Sequence, residues 1–417
     1  MTAGLRGGFL PDNRSSVMTT DFMNRVVSLA SARLMILVPL ARLDKPQEDR
    51  MFKIRIEFII ASVFLLTTSL ACSSTRNIVN QPTNISINPT TTTLVDCSVT
   101  QDLSDSDSAW AKFDEEYYWF LNIIQTDTKG RIWLATDGHG LLMYDGKEWH
   151  NWQPESRNDM SYDALRTMAI SNDRIYAGAY GSAEGGNLLV YDIQNDQWET
   201  IFPGTNTLRD NVIGGLAINQ LGQVYVMTRD GLDVFSNDSW TYASNPLESD
   251  FAIHSVDDAL FDNEENYWVA MSDGVWRFDG KTWISYTAIS GQLPNSVNAL
   301  DIDHDGRIWA ATRSGLAVYS NGEWFVFSPD KFPWYQGWLH DVTIDSKNRV
   351  WVVSNDVLSV FNGKEVVLFT PDAIGESLWG DAIGFDNDGC AWIGMSLGLS
   401  VFRGNLDLES GNFDFLK

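Results

Sequence analysis

The chain has 417 residues with 29 basic and 55 acidic side chains, a formal net charge of −26. Residues 1–71 hold 9 of the basic residues and only 6 of the acidic ones, so the acidic excess belongs to the remainder. That excess excludes binding that works by neutralising phosphates, whether on nucleic acid or on an anionic lipid surface. Many of the Asp residues fall at turn positions, where solubility and turn chemistry account for them.

In chain order, residues 1–50 have an unremarkable composition and precede a better start at Met51; they are read as an over-extended N-terminus. From Met51 the pattern is that of an export signal: Lys53 and Arg55, the apolar run Phe58 to Leu66, then Ser69-Leu70-Ala71-Cys72. The apolar core is short of the roughly 20 residues that span a bilayer. Its end resembles a lipobox, which implies cleavage and lipidation at Cys72 and a membrane contact made only through that lipid. Residues 72–109 are rich in Ser, Thr, Asn and Pro and poor in large apolar residues, a composition expected of a disordered tether.

From residue 110 onward one unit recurs. Its anchoring aromatics are Trp133, Tyr176, Tyr225, Trp268, Trp309, Trp351 and Trp392, at intervals of between 41 and 49 residues. Such a period, carrying several short strands, predicts an all-β, seven-bladed propeller over residues 110–417. In the unit at 298–339, Asn298 to Ile302 is the inner strand and Arg307 to Thr312 the second. A turn with Gly315 leads to Leu316 to Tyr319, and an Asn321-Gly322 hairpin to the outer strand Glu323 to Phe327. The seventh unit lacks its outer strand. The missing pattern, Trp-x-x-aromatic, stands at Trp110-Ala111-Lys112-Phe113, so this N-terminal strand is expected to complete the last blade and close the ring. Cys97 lies just upstream of that strand and Cys390 lies in the same blade, which makes them a candidate disulfide.

The units Asp-x-x-Gly-x-Ile-Trp-x-x-Thr-x-x-Gly-Leu, with a later Asp-Gly-x-x-Trp, resemble two-component regulator propeller repeats. The resemblance covers residues 110 to about 405. It implies the propeller fold and extracytoplasmic ligand sensing, as in the periplasmic propellers of hybrid histidine kinases. The chain has about one propeller and no room for kinase or receiver domains, so phosphotransfer would fall to a separate sensor kinase.

Propeller ligands sit at a mouth of the central channel. The inner strands align on their turn-opening residues Asp127, Ser171, Asn219, Asp262, Asp303, Asp345 and Asp386. Five residues upstream of these lies a ring of Asn122, Arg166, Gly214, Asp257, Asn298, His340 and Asp381, mostly flanked by apolar or small residues. Two positions earlier, on the same face if alternation holds, come Phe120, Ala164, Val212, Ser255, Ser296, Trp338 and Trp379. Phe120, Trp338 and Trp379 fall in blades one, six and seven, which are neighbours in a closed ring. The candidate ligand contacts are therefore Phe120, Asn122, Arg166, Asp257, Asn298, Trp338, His340, Trp379 and Asp381, an aromatic platform beside polar groups, suited to a glycan or another planar ligand.

Asp301-Ile302-Asp303-His304-Asp305-Gly306 mimics the start of a calcium loop but lacks its bidentate Glu, and is read as a turn. His139 occupies a turn between strands; His150, His254, His304 and His340 show no metal-ligand spacing, and no phosphate loop or nucleophile elbow occurs. The reading is thus of an exported, lipid-anchored propeller on the cell envelope, in the periplasm or at the cell surface. It would bind a glycan, another small molecule or a protein partner, with no cofactor, no metal and no catalytic residue assigned. Two alternatives stand beside it: a scaffold for protein–protein interaction, and a metal-dependent lyase resembling streptogramin lyases. In the lyase, His340 would be the base, Asp257 or Asp381 metal ligands, and Arg166 the partner of an anionic substrate.

Overall fold

The computed structural model describes residues 84–87, 109–113, 121–152, 164–171, 173–179, 187–204, 207–243, 256–287, 293, 296–327, 332, 338–374, 380–395 and 398–416. Residues 1–76 lie outside the described residues, and the readings of 1–50, of the signal and of Cys72 fall there. Among the described residues no helix is long and apolar enough to cross a membrane.

Seven antiparallel sheets follow one another, each made of an inner strand, two middle strands and an outer strand. The inner strands of blades 1 to 7 are Leu121–Thr126, Leu165–Ile170, Ile213–Ile218, Val256–Phe261, Val297–Ile302, Leu339–Ile344 and Gly380–Phe385. The seven-bladed propeller read from the repeats is the fold observed. Blade 7 takes its outer strand from the N-terminal side: Trp110–Phe113 pairs antiparallel with Gly398–Phe402, Trp110 opposite Phe402 and Phe113 opposite Leu399. Phe113 stacks on Trp392 at 5.7 Å and meets Trp149 of blade 1 edge-on at 5.4 Å, so the closing strand also cements the seam between the last blade and the first.

Within the segment read as a tether, Asn84–Ile87 departs from that reading. It adds a fifth strand to blade 6, parallel to the outer strand Glu365–Phe369, with Ile85 opposite Val366. The outer edge of a sheet presents unpaired backbone groups, and here the chain's own backbone satisfies them without needing an apolar sequence.

Five of the seven repeats are held by one device at the turn after the inner strand. Asp127, Asp262, Asp303, Asp345 and Asp386 each accept the indole N–H of the Trp six residues on, at 2.7–3.1 Å. The other carboxylate oxygen takes backbone N–H groups of the turn, as Asp303 does from Asp305 and Arg307. Blades 2 and 3 carry Tyr176 and Tyr225, which bring no indole N–H to that point, and there Ser171 and Asn219 replace the Asp. The calcium-like string at 301–306 is one of these turns, with both Asp303 oxygens committed to protein donors. Where Arg131 adds an ion pair, the hydrogen bonds outweigh burial and hold Asp127 below the usual carboxylate range. Asp386 has Cys390 in the Arg position and burial pushes it up instead. Cys390 is buried and disulfide-bonded; Cys97, its candidate partner, lies outside the described residues.

The core is distributed between blades. The anchoring Trp133, Trp268, Trp309, Trp351 and Trp392 are all buried and face the next sheet's apolar strands. Close approach requires glycine at some of these contacts. A Cβ on Gly384 of blade 7 would lie 2.6 Å from the Cγ2 and 2.8 Å from the carbonyl oxygen of Ile124 in blade 1. After blade 7 the chain does not stop at its own sheet. Residues 411–416 run across the turns of blades 5 and 6, where the Gly411 N–H donates to Lys347 O and the Asn412 N–H to Asn362 O. Phe413, fully buried, packs on Trp309 at 4.8 Å and Phe361 at 5.6 Å, beneath the Arg307 guanidinium.

Candidate functional site: the channel mouth

All seven inner strands share an irregularity. Their register against the second strand slips between Leu121 and Ile123, Leu165 and Thr167, Ile213 and Gly215, Val256 and Asp258, Val297 and Ala299, Leu339 and Asp341, and Gly380 and Ala382. The residue skipped in each case is the ring residue: Asn122, Arg166, Gly214, Asp257, Asn298, His340 or Asp381. A bulge sets two residues against one and turns the extra side chain outward from the regular alternation. The polar ring is therefore a ring of bulges. Period two carried through it, which placed Trp338 and its equivalents on the same face, does not hold across that point.

The bulge re-phases the rest of the strand. The third residue before each turn-opening position packs between blades: Ile124, Met168, Leu216, Ala259, Leu300, Val342 and Ile383 are buried. From the fourth and second positions before it come Gln125, Asp258, Asp301, Asp341 and Thr343. Together with Asn122, Arg166, Asp257, Asn298, His340 and Asp137 these line a cavity of about 720 Å³.

The structure distinguishes the ring members. Asn122 Nδ2 donates to Leu165 O of blade 2 at 2.8 Å, and Asn298 Nδ2 donates to Leu339 O of blade 6 at 2.6 Å. These two amides stitch adjacent inner strands. Gly214 stands where blades 3 and 4 touch: a Cβ there would lie 2.4 Å from Val256 Cβ. Asp257 is raised to about 6 by burial, against the opposing charges of Arg166 and Arg313. His340 Nε2 shares a hydrogen bond with Asn355 Oδ1 at 2.5 Å. Trp338 is 48% exposed even with the Arg313 guanidinium 4.0 Å from its ring centroid. Of Asp381 the structure describes the backbone only, and Phe120 and Trp379 lie outside the described residues.

Sequence reasoning missed two sets of residues here. Arg313 and Asn355 come from turns between second and third strands, which return to the same end of the channel as the ring. The turn holding His139 does the same and contributes Asp137. The second set is three channel carboxylates, each tied to the next blade. Asp258 Oδ2 accepts from Leu300 N (2.8 Å), Asp301 Oδ2 from Ile344 N (2.6 Å) and Asp341 Oδ2 from Ile383 N (2.7 Å). Their other oxygens accept the N–H of the following residue at 2.7–2.8 Å. Burial is the largest influence on each, raising Asp258 to about 7, Asp301 to about 6 and Asp341 to about 8 against the backbone donors, and neighbouring carboxylates add to it. Two of the three flank ring residues directly, at positions read as mostly apolar or small.

No family model matches the chain, and no curated protein is similar to it. Solved structures are. The extracellular domain of a hybrid two-component system from B. thetaiotaomicron superposes with a TM-score of 0.59 at 17% identity, covering 71% of this chain and 41% of that one. A streptogramin B lyase matches with a TM-score of 0.57 at 11% identity, covering 71% of this chain and 97% of that one. A surface component of the type-IX secretion system of Porphyromonas gingivalis, PorZ, matches at 0.52 and 15%, covering 70% and 47%. This chain thus spans about two fifths of the length of the two-component extracellular domain, and what the likeness shows is a shared propeller fold.

Proposed function

We propose that this chain is an exported binding or sensory propeller that takes a ligand at the bulged mouth of its channel and is held to the cell envelope by a lipid on Cys72. One observation carries the reading. Arg166, Asp257 and His340 line a cavity, the charge of Arg313 acts on Asp257, and the half-exposed Trp338 packs on that same Arg313. An exposed indole next to charged and polar groups suits a saccharide ring, which offers an apolar face and a rim of hydroxyls. The likeness to extracellular domains of two-component systems supports export and a sensory role; a separate kinase would then carry the signal.

The lyase alternative, in which His340 is a base and Asp257 or Asp381 holds a metal, is weaker on electrostatic grounds. Asp257 faces Arg166 and Arg313, whose positive charges oppose a divalent cation at the same carboxylate. The test is a thermal-shift screen of the detergent-solubilised chain against oligosaccharides, peptides and divalent ions, repeated with Trp338→Ala and Arg313→Ala. Binding to the folded state raises the melting temperature by mass action. A saccharide-dependent rise lost in both variants supports the proposal. A rise that survives both removes the mouth as the site, and turnover abolished by a chelator would favour the lyase.

A further inference from the structure

The hairpins joining third and outer strands repeat one design, and blade 4 shows it complete. In Asp279-Gly280-Lys281-Thr282, the Asp279 N–H donates to Thr282 O at 3.2 Å. Asp279 Oδ1 accepts the N–H groups of Lys281 and Thr282, and Oδ2 accepts the Thr282 hydroxyl at 2.9 Å. Both carboxylate oxygens of the Asp are used inside the turn. Blade 1 builds the same turn from Asp145-Gly146-Lys147-Glu148, with Asp145 Oδ1 accepting from Lys147 N and Glu148 N at 2.9 Å. Here Glu148 replaces the Thr, so no hydroxyl reaches Oδ2, and His150 stands where blade 4 has Ile284.

The two replacements put three donor atoms together. His150 Nε2 lies 3.6 Å from Asp145 Oδ2 and 3.9 Å from Glu148 Oε1, and all three atoms fall within 4.8 Å of one another. Donors bound tetrahedrally at 2.0–2.2 Å from one ion are separated by about 3.4 Å, so these need to close by only a few tenths of an ångström along the two shorter edges. The His150 ring is steadied by stacking on Trp152, at 5.9 Å between centroids and 26° between planes. Among the described residues no Lys or Arg pairs with either carboxylate, which leaves the imidazole as their shared partner. The repeat acts as an internal control. At the corresponding positions blade 5 has Ser320, Glu323 and Phe325, and blade 6 has Asn362, Glu365 and Val367; neither assembles the three donors.

We propose that Asp145, Glu148 and His150 form a surface site for a divalent transition-metal ion of the zinc type on the outer edge of blade 1. One imidazole nitrogen and two carboxylate oxygens suit such an ion better than calcium, which takes six to eight oxygens. Three protein ligands leave a fourth position for water. The site corrects the reading that His150 lacks metal-ligand spacing: the spacing Asp-x-x-Glu-x-His becomes a ligand set only because the hairpin folds Asp145 back beside His150. It is independent of the channel mouth.

Isothermal titration of Zn²⁺ and of Ca²⁺ into the untagged, detergent-solubilised full chain tests it, with His150→Ala and Glu148→Gln alongside. The three side chains are accessible, so the variants are expected to melt where the parent does without metal. The expected result is one Zn²⁺ per chain, at least tenfold weaker in either variant, with Ca²⁺ giving no comparable binding. Absence of Zn²⁺ binding by the parent below millimolar, unchanged binding in both variants, or equal binding of Ca²⁺ would each overturn the assignment.

Discussion

The Asp341 carboxyl, the channel group that burial pushes furthest, gives a direct handle on the electrostatics of the ring. Its value of about 8 in the folded chain lies far above its ordinary 3.8. Between those two values the folded chain holds a proton that the unfolded chain has lost. The contribution to stability is therefore full below 3.8 and disappears as pH rises through about 8. A single group of this kind lowers stability by at most about 1.4 kcal/mol per pH unit; water in the channel screens it, leaving roughly half of that as the lower end. For a propeller of this size 1 kcal/mol corresponds to roughly 2 °C in melting temperature. Asp341→Asn is thus expected to flatten the fall of Tm between pH 5 and pH 8 by roughly 1.5–3 °C per pH unit. The curves should meet only below about 3.8, where the Asp side chain is neutral in both the folded and the unfolded chain and, like Asn, can accept one backbone N–H. Differential scanning calorimetry of both proteins at fixed ionic strength reads this out. Parallel curves would refute the reasoning, since the Ile383 and Val342 N–H groups would then keep the carboxylate ionised across the whole range.

Two further outcomes follow from the packing and the cysteines. Phe413→Ala empties a fully enclosed position beneath Arg307, against Trp309 and Phe361, and is expected to cost about 3–5 kcal/mol in urea denaturation; a loss below about 1 kcal/mol would mean that the C-terminal segment does not close over blades 5 and 6. If Cys390 pairs with Cys97, peptide mapping without reductant will show that cross-link, and Cys390→Ser is expected to lower stability by about 2–4 kcal/mol. A fragment linking Cys390 to Cys72 instead would set that pairing aside and remove Cys72 as a lipid attachment point.

What could be read before folding was whatever the repeat carries within one blade. The spacing of the anchoring aromatics defined the number of sheets, and the orphan Trp110-Ala111-Lys112-Phe113 identified the strand that completes the seventh. The exchange of Trp for Tyr together with Asp for Ser or Asn in blades 2 and 3 was visible in the same alignment, but its meaning needs the indole–carboxylate bond to be seen. The ring of polar residues was found by alignment, whereas its bulge was not, because a one-residue slip leaves no trace in composition and reverses every inference of facing on one side of it. Asp258 and Asp341 escaped for that reason: strict alternation points them into the blade, and the slip points them into the channel. Residues 84–87 and 411–416 belong to no repeat, and their places depend on contacts with blades 5 and 6 that no local pattern encodes.

The closing strand also sets the order in which this molecule can be made. Phe113 pairs with Leu399, about 290 residues further along, so the edge of this early strand waits, unpaired, until blade 7 has been made. Each of blades 1 to 6 can collapse from neighbouring segments at small entropic cost, but the last joining step must bring distant ends together, and the expense of that search grows with the logarithm of the loop. A chain that crosses a membrane from its N-terminal end would deliver Trp110–Phe113 ahead of all seven inner strands and its partner after them. Assembly then becomes a zipper whose final tooth was cut at the beginning, and a chain stalled or clipped after blade 6 would retain six sheets with an open, adhesive flank.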